Sequence, residues 1–413
     1  MNVLIVNTFH YPRGGAPIYG FKLARLLGSR GHTAIPFAMH SPDNIPSPYA
    51  RYFVEFIDFG HELERRSLKR AIRVFRRIFN YNEAAYRIGQ LFDNVHIDVV
   101  HLNNFLHHIT LSIVEPTKAR NIPLVWSLHD HILVCPNTNL YNERAKKACT
   151  SCRSPMQRLL LPIFKRCKKR SLFASMMAAA EAIYFARRKT GNVPDFFIAP
   201  SEFLKKQHQR MGFDVSHFEI VPNFVDCAEF VPHTAPGEYA LYLGRLSVEK
   251  GLDILIHAFS KMRDKRLVIA GSGPNELPLH KLADELHANV EFTGFKSGNE
   301  LKQLIYGARL TILPSVCYEN APLSILESFA AGKPVLASNI GGIPEMVTED
   351  TGVLFEPGNS DAIISAVESI YDKQATIEEL GRNARKAAEE KYSPQNHIKK
   401  MVELYKRAQM QHC

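Results

Sequence analysis

Short runs of apolar residues recur along the chain, each followed by a glycine-containing loop and then by apolar residues at helical spacing. The first run is Asn2 to Asn7, N-V-L-I-V-N; the loop from Thr8 ends in Gly14-Gly15, and Ile18 to Leu27 keeps helical spacing up to Gly28 and Gly31. Continuous apolar runs of this length predict strands buried on both faces, and strand–loop–helix units predict a doubly wound α/β fold. The theme returns at Tyr239 to Gly244, with the loop R-L-S-V-E-K-G and a helix whose stripe is Leu252, Leu255, Ile256, Phe259 and Met262. Further strands are predicted at Phe196–Pro200, Leu267–Ala270, Val290–Gly294 and Leu310–Leu313, and helices at Ser201–Met211 and Pro394–Gln409.

The densest signals lie between Leu313 and Val347. Glu319 and Glu327 have seven residues between them, Pro322 among these. Pro322 reads as the first residue of a helix, where its missing N–H costs nothing, so Glu319 lies in the preceding loop and Glu327 inside the helix. Gly332 ends that helix, Val335 to Ala337 form a short strand, and Gly341-Gly342 lead into another helix at about Pro344. A helix N-terminus attracts phosphate. A carboxylate one turn in can accept two neighbouring hydroxyls, as on a ribose, and one in the loop points beyond the phosphate. Together these describe a nucleotide-sugar site; the plainer alternative is a solvated helix face with idle glutamates.

The whole run, P-S-x2-Y, E-x7-E, E-S-F-A-A-G-K-P-V and G-G-I-P-E, resembles retaining glycosyltransferases of family 4. The resemblance is strong over 239–347, weaker over 1–30, 98–130 and 200–226, and absent from 45–90 and 150–190. It implies the GT-B fold: two facing Rossmann-like doubly wound α/β domains with a cleft between them. The expected domains are 1–222 on the acceptor side, joined by a terminal helix in 394–413, and 223–393 on the nucleotide-sugar side. It also implies the site. His129, with Asp130 beside it, closes on the donor sugar from the first domain, and Glu319 faces that sugar. Glu327 takes the ribose hydroxyls. Arg245 and Lys250, in a close match to G-R-L-x3-K-G, carry the leaving-phosphate charge with the N–H groups of Leu323 and Ser324. Gly15 lets backbone approach the phosphate, and Gly294, with Phe295, meets the base. No divalent metal is then required for catalysis. The donor is a UDP-sugar by preference, with GDP-mannose as the second choice; the acceptor is a hydroxyl of a glycan or lipid-linked oligosaccharide in surface polysaccharide synthesis. Two departures stand out: Asn103 where many relatives carry histidine, and Phe224 where the junction segment P-N-G-V-D has glycine. Gly15 as a plain turn residue, His101 as a packed core histidine and Arg245 paired with Glu249 are the plainer readings of those positions.

Composition changes the picture in three places. The chain has 413 residues, suited to two domains of about 200. The net charge is +10 and favours anionic partners. The charge gathers in two stretches, 65–77 around Leu68, Ile72 and Phe75, and 158–170 around Leu159, Leu160, Leu161 and Phe164. Such basic amphipathic segments suit an anionic membrane surface or an ordinary helix face, and no nucleic-acid motif accompanies them. No apolar run reaches the roughly 18 residues that span a bilayer, and the N-terminus reads as a strand rather than a signal peptide. The expected location is therefore cytoplasmic, with peripheral contact at the inner face of the membrane. Four of seven cysteines, Cys135, Cys149, Cys152 and Cys167, follow His129, as one C-x2-C flanked by single cysteines. A structural zinc and reduced, incidental thiols both fit; four thiolates would leave no open position for a catalytic zinc. Three rival functions remain at this stage: a nucleotide-sugar epimerase of the same architecture, a donor-binding protein without catalysis, and a membrane-surface scaffold of a polysaccharide assembly.

Overall fold

A computed structural model describes residues 1–57, 81–235 and 237–412; the basic stretch 65–77 lies outside them. The chain forms two six-stranded parallel sheets and one small hairpin among the described residues. The first sheet has the order β2–β1–β3–β4–β7–β8, from β1 (Asn2–Asn7), β2 (Thr33–Phe37), β3 (Val99–Asn104), β4 (Leu124–Ser127), β7 (Phe196–Ala199) and β8 (Phe218–Ile220). The second runs β11–β10–β9–β12–β13–β14, from β9 (Tyr239–Leu243), β10 (Leu267–Ala270), β11 (Val290–Gly294), β12 (Ala308–Leu313), β13 (Val335–Ser338) and β14 (Gly352–Phe355). The hairpin is β5 (Tyr141–Asn142) with β6 (Lys147–Ala148).

Helices of the first half are α1 (Gly15–Gly28), α2 (Asn82–Asn94), α3 (Val114–Lys118), α4 (Pro155–Lys165), α5 (Leu172–Arg187) and α6 (Glu202–Arg210). Those of the second are α7 (Leu252–Lys261), α8 (Glu276–Glu285), α9 (Gly298–Gly307), α10 (Leu323–Ala330), α11 (Ser360–Ile370) and α12 (Gln374–Glu390), and α13 (Pro394–Met410) closes the chain. This is the GT-B architecture, two Rossmann-like sheets in one chain. The apolar runs of β1, β4, β9 and β10 are buried on both faces, as parallel strands covered by helices must be.

Helix α13 returns to the first sheet. Ile398, Met401, Leu404, Tyr405 and Ala408 recur at helical spacing and pack against Val3, Ile5, Tyr19 and Leu23. Between the sheets, Phe224 packs with that same first-domain core and Val225 with the core around β9 and β12.

Two local expectations are corrected. Pro322 is the cap preceding α10, with extended backbone, and the first helical residue is Leu323. The segment at Pro344 forms only a single 3-10 turn, Ile343–Glu345, because Thr348 and Thr351 close a turn that leads straight into β14. At the other end of α10 the expectation holds. Gly332, at φ 73°, ends the helix with Lys333 N–H on the Ser328 carbonyl and Gly332 N–H on that of Phe329.

Candidate active site

In each sheet the strand order reverses beside the first strand, between β1 and β3 and between β9 and β12. Crevices at the carboxyl ends of such strands are where ligands collect in open α/β sheets. The loops that leave β1, β4, β9 and β12 carry the residues singled out by sequence, and they meet there.

Loop contacts in the second half are backbone to backbone. Gly251 has φ 69°, and a Cβ there would stand 2.2 Å from the Pro314 carbonyl oxygen. Gly341 has φ 69°, with its Cβ position 2.2 Å from the Glu319 carbonyl oxygen. Only glycine permits both the left-handed conformation and the close approach. The first contact presses the Arg245–Lys250 loop onto the Glu319 loop. The second braces the Glu319 loop from behind, where Gly342 N–H donates to the Glu319 carbonyl at 2.7 Å.

As a result Lys250 and Glu319 are paired. The Lys250 ammonium donates to Glu319 Oε1, and Ser315 Oγ donates to the same oxygen at 2.6 Å. Burial alone would raise the Glu319 carboxyl, but the adjacent ammonium and the two hydrogen bonds outweigh it and hold the group below its ordinary value. Burial likewise works against the Lys250 charge, and Glu319 more than offsets it, holding the ammonium above the usual lysine range. Both groups are ionised at neutral pH. Two residues with separate roles in the sequence reading are thus one ion pair.

Arg245 is exposed and makes no ion pair among the described residues. Its expected alternative partner, Glu249, instead accepts from Ser247 Oγ at 2.7 Å. No side chain caps α10 and its first turn holds no acid. The N–H groups of Leu323 and Ser324 therefore lack helical partners, as the first turn of any helix does. Glu327 lies in the next turn, 3.7 Å from Lys22 Nζ of α1. Burial raises its carboxyl above the ordinary value, with Lys22 opposing. Gly15 faces this helix: a Cβ on it would stand 3.9 Å from Leu323 Cδ1, an ordinary contact. The glycine that the backbone conformation requires is Gly14, at φ 78°. Gly294, at φ 70°, gives its carbonyl to Gly271 N–H at 2.8 Å, and Phe295 after it is exposed.

From the first domain comes His129. Asn103 Nδ2 donates to the Ala16 carbonyl at 2.8 Å. That fixes the amide, so Asn103 Oδ1 accepts from His129 Nε2–H. The imidazole is then a neutral ring with its Nδ1 lone pair free, and burial pushes its pKa down to about 4. Asn103, which stands where many relatives carry histidine, is what orients His129. His101 is a core histidine: fully buried, bonded at Nδ1 to Tyr405 OH and at Nε2 to Ser127 Oγ, with its pKa pushed down to about 3 by burial.

The halves are joined through the same loops. Asn320 Nδ2 donates to the His129 carbonyl at 2.8 Å, and Asn223 Nδ2 to the Ala321 carbonyl at 2.9 Å. Glu345 of the G-G-I-P-E run accepts from the N–H groups of Glu202 (2.8 Å) and Phe203 (2.5 Å) at the start of α6. Tyr318 stacks on Phe203 at 5.3 Å. Sequence reading missed Lys22, Asn103, Ser315, Asn320 and Glu345 in these roles, because each acts across elements that only the fold brings together.

Residues 13–229 match the family described as Glycosyltransferase Family 4, and residues 230–387 that described as Glycosyl transferases group 1. The chain belongs to glycosyltransferase family 4. This family 4 member is 37% identical over 172 residues to an uncharacterized glycosyltransferase of Methanocaldococcus jannaschii, covering 40% of this chain and 44% of that protein. It is 33% identical over 153 residues to the sulfoquinovosyl transferase of Arabidopsis thaliana, covering 36% of this chain and 29% of that protein. The chain thus spans less than half the length of these two relatives. A protein of the cps region of Klebsiella pneumoniae matches more evenly, 25% over 366 residues, 84% of this chain and 87% of that one. Among solved structures, Anabaena HepE in complex with UDP shares the fold with a TM-score of 0.69 at 17% identity, over 98% of this chain and 100% of that one. WaaG, a glycosyltransferase involved in lipopolysaccharide biosynthesis, does so with a TM-score of 0.64 at 16% identity, over 96% and 98%.

Proposed function

We propose that this protein transfers a sugar, a hexose by preference, from a nucleotide-sugar to a hydroxyl, with retention at the anomeric carbon. The observation that carries the reading is the convergence at one helix N-terminus. Uncapped amides of Leu323 and Ser324 open α10 and Glu327 lies one turn on, the Lys250–Glu319 pair ties the preceding loop to the loop that Arg245 begins, and His129 is tied to that preceding loop through Asn320. A diphosphate takes the amides and Arg245, which neutralise charge as it leaves. Glu327 exchanges Lys22 for the ribose hydroxyls. Glu319, held ionised by Lys250, accepts from the donor sugar, and neutral His129 offers Nδ1 as a further acceptor. The bond from the anomeric carbon to the phosphate oxygen breaks as the bond to the acceptor oxygen forms on the same face. The acceptor's proton passes to the departing phosphate oxygen. Glu319 and Glu327 are not the acid and nucleophile of a glycosidase, since one serves the nucleotide. The residues supply the charge stabilisation without a divalent ion.

A UDP-sugar is the preferred donor; HepE has been solved with UDP and with UDP-glucose. GDP-mannose is the second choice, as used by a mycobacterial relative that is 32% identical over 212 residues. The acceptor is a glycan or lipid-linked oligosaccharide of surface polysaccharide synthesis. No helix among the described residues is long and apolar enough to cross a membrane. Yet α4 and the start of α5 expose Met156, Leu160, Phe164 (73%), Phe173 (59%) and Met176 beside Lys165, Arg166, Lys168, Lys169 and Arg170. Exposed aromatic and aliphatic side chains ringed by cations suit the surface of an anionic membrane, where a lipid-linked acceptor resides. The protein works there as a peripheral enzyme on the cytoplasmic side.

Proton NMR of the product from an α-linked UDP-hexose tests the chemistry. An α anomer in the product, with released UDP, supports the reading. A β product removes retention, and donor consumption without an acceptor points to an epimerase or hydrolase. Flotation with phosphatidylglycerol vesicles tests the surface: the wild type floats, Phe164→Ser/Phe173→Ser does not, and equal flotation of both removes the α4–α5 surface from the account.

A further inference from the structure

The excursion between β4 and β7 carries four cysteines that the proposed chemistry does not use. Three separate local structures bring them to one cavity. Cys135 lies in a turn, its N–H on the His131 carbonyl at 2.7 Å. The β5–β6 hairpin returns the chain so that Cys149 N–H meets the Leu140 carbonyl at 2.7 Å, with Cys152 three residues on. Helix α4, opened by a capping box at Ser154, then brings Cys167 back, its N–H on the Pro162 carbonyl at 3.3 Å. All four line a single cavity of about 20 Å³, room for roughly one small atom. None forms a disulfide.

A second observation points to what fills it. Arg158 of α4 is only 8% exposed, donates to the carbonyls of Cys152 and Met211, and has no ion pair among the described residues. A buried guanidinium without an anion is costly. Lys165 also lines the cavity, with its ammonium on Ser151 Oγ at 2.9 Å, and Lys168 and Glu143 stand by Cys167. Left as thiols, the cysteines offer Arg158 no charge. Four thiolates on a divalent ion carry a net charge of −2, against the cations Arg158 and Lys165.

A third concerns stability. Thr138, Leu140, Lys146, Arg166, Lys169 and Arg170 all have positive φ, each unfavourable for a residue with a side chain. The apolar cluster beneath is small: Val134, Cys135, Leu140, Cys152 and Met211, with Leu161, Phe213 and Tyr318 at its edge. A segment this irregular on so small a core calls for a staple.

We propose that Cys135, Cys149, Cys152 and Cys167 bind one zinc ion as a closed, structural tetrathiolate site. Among the described residues no three potential ligands stand at ligating separation; binding therefore requires the four Sγ atoms to close in to Zn–S distances of about 2.3 Å. The thiol protons are released on binding. The staple fixes the segment that runs from His129 to the exposed α4–α5 surface.

The test is the metal content of full-length protein purified under reducing conditions, by inductively coupled plasma mass spectrometry. About one zinc per chain is expected in the wild type and in Cys227→Ser, and essentially none in Cys149→Ser/Cys152→Ser. Since that double variant can fail to fold, wild type stripped of metal is also titrated with cobalt(II). Visible d–d bands with thiolate-to-cobalt charge transfer support the site. Reduced wild type without zinc and without those bands overturns it, as does mass-spectrometric detection of disulfides among the four. This inference stands apart from the donor-site reading: its readouts need neither nucleotide nor sugar.

Discussion

Replacing Lys250 with methionine removes the cation from the Glu319 pair and keeps an unbranched side chain of similar reach. The two side chains are 24% and 16% exposed. Removing one partner of a fully buried pair costs about 3–5 kcal/mol; the residual exposure and the surviving Ser315 hydrogen bond bring the expected loss to about 2–3 kcal/mol. At about 2–4 °C per kcal/mol for a domain of this size, the melting temperature falls by about 4–12 °C. The pH dependence gives the sharper signature. In the wild type Glu319 is held below its ordinary value, so its stabilising contribution is present above the ordinary carboxylate range and is lost as pH falls through the lowered value. Without Lys250, burial dominates and raises the carboxyl, so protonation relieves the lone buried charge. The deficit of Lys250→Met is therefore largest at neutral pH and shrinks toward pH 4.5. Melting curves at both pH values, with Glu319→Gln and the double variant completing a cycle, read this directly. A Lys250→Met melting temperature equal to wild type, or a deficit that does not change with pH, would refute the reasoning.

Asn103→Leu leaves the His129 Nε2–H without its acceptor. Orphaning such a buried donor costs about 1–3 kcal/mol; if that cost falls on the transition state, transfer drops roughly 5- to 150-fold, mainly in kcat and with little change in donor KM. Asn103→Asp keeps an acceptor but adds charge beside the ring, so it moves the acidic limb of the pH profile upward. In the wild type His129 is neutral above its pKa of about 4 and contributes no titration near pH 6.5; a limb at 6.5 that vanishes in His129→Gln would contradict this. Glu345→Gln weakens two charge-assisted bonds to the start of α6. The expected outcome is a lower melting temperature and a larger radius of gyration by small-angle scattering, and unchanged scattering would deny Glu345 a role in joining the halves. Gly341→Ala forces a side chain into left-handed backbone and onto the Glu319 carbonyl; it should lower stability by about 2 kcal/mol or more and abolish nucleotide binding, which calorimetry would show.

The central strands were legible because parallel buried strands are continuous apolar runs, and β1, β7, β9 and β10 need no tertiary information to be seen; β2, β8 and β14 were not foreseen, and they are short strands at the sheet edges. Helix α10 was legible because Pro322 and Gly332 bracket it. The 3-10 turn at Pro344 was not, since the turn made by Thr348 and Thr351 competes with a helix start and only the register of β14 decides between them. At the site, the spacing of Glu319 and Glu327 marks a loop–helix junction, and the structure puts both there. The partners were hidden for a common reason. Lys22 and Glu327 are 305 positions apart, and Asn320 meets His129 across 191, so no local pattern links them. The pairing of Lys250 with Glu319 depends on Gly251 meeting Pro314, a contact between backbones that leaves little trace in side-chain pattern. The basic stretch 158–170 gave the charge of its surface but not its exposure, which follows from how α4 packs on α5.

The central claim is a nucleotide-sugar site at the N-terminus of α10. Its most direct measurement is a thermal-shift panel of UDP, GDP and ADP on the wild type, Arg245→Ala and Glu327→Ala. A nucleotide at about 100 times its Kd stabilises the wild type by about 2.7 kcal/mol. The account predicts that UDP, or failing that GDP, raises the wild-type melting temperature and leaves both variants unmoved. If no nucleotide shifts the wild type, or one shifts all three proteins equally, the site is not where this account puts it.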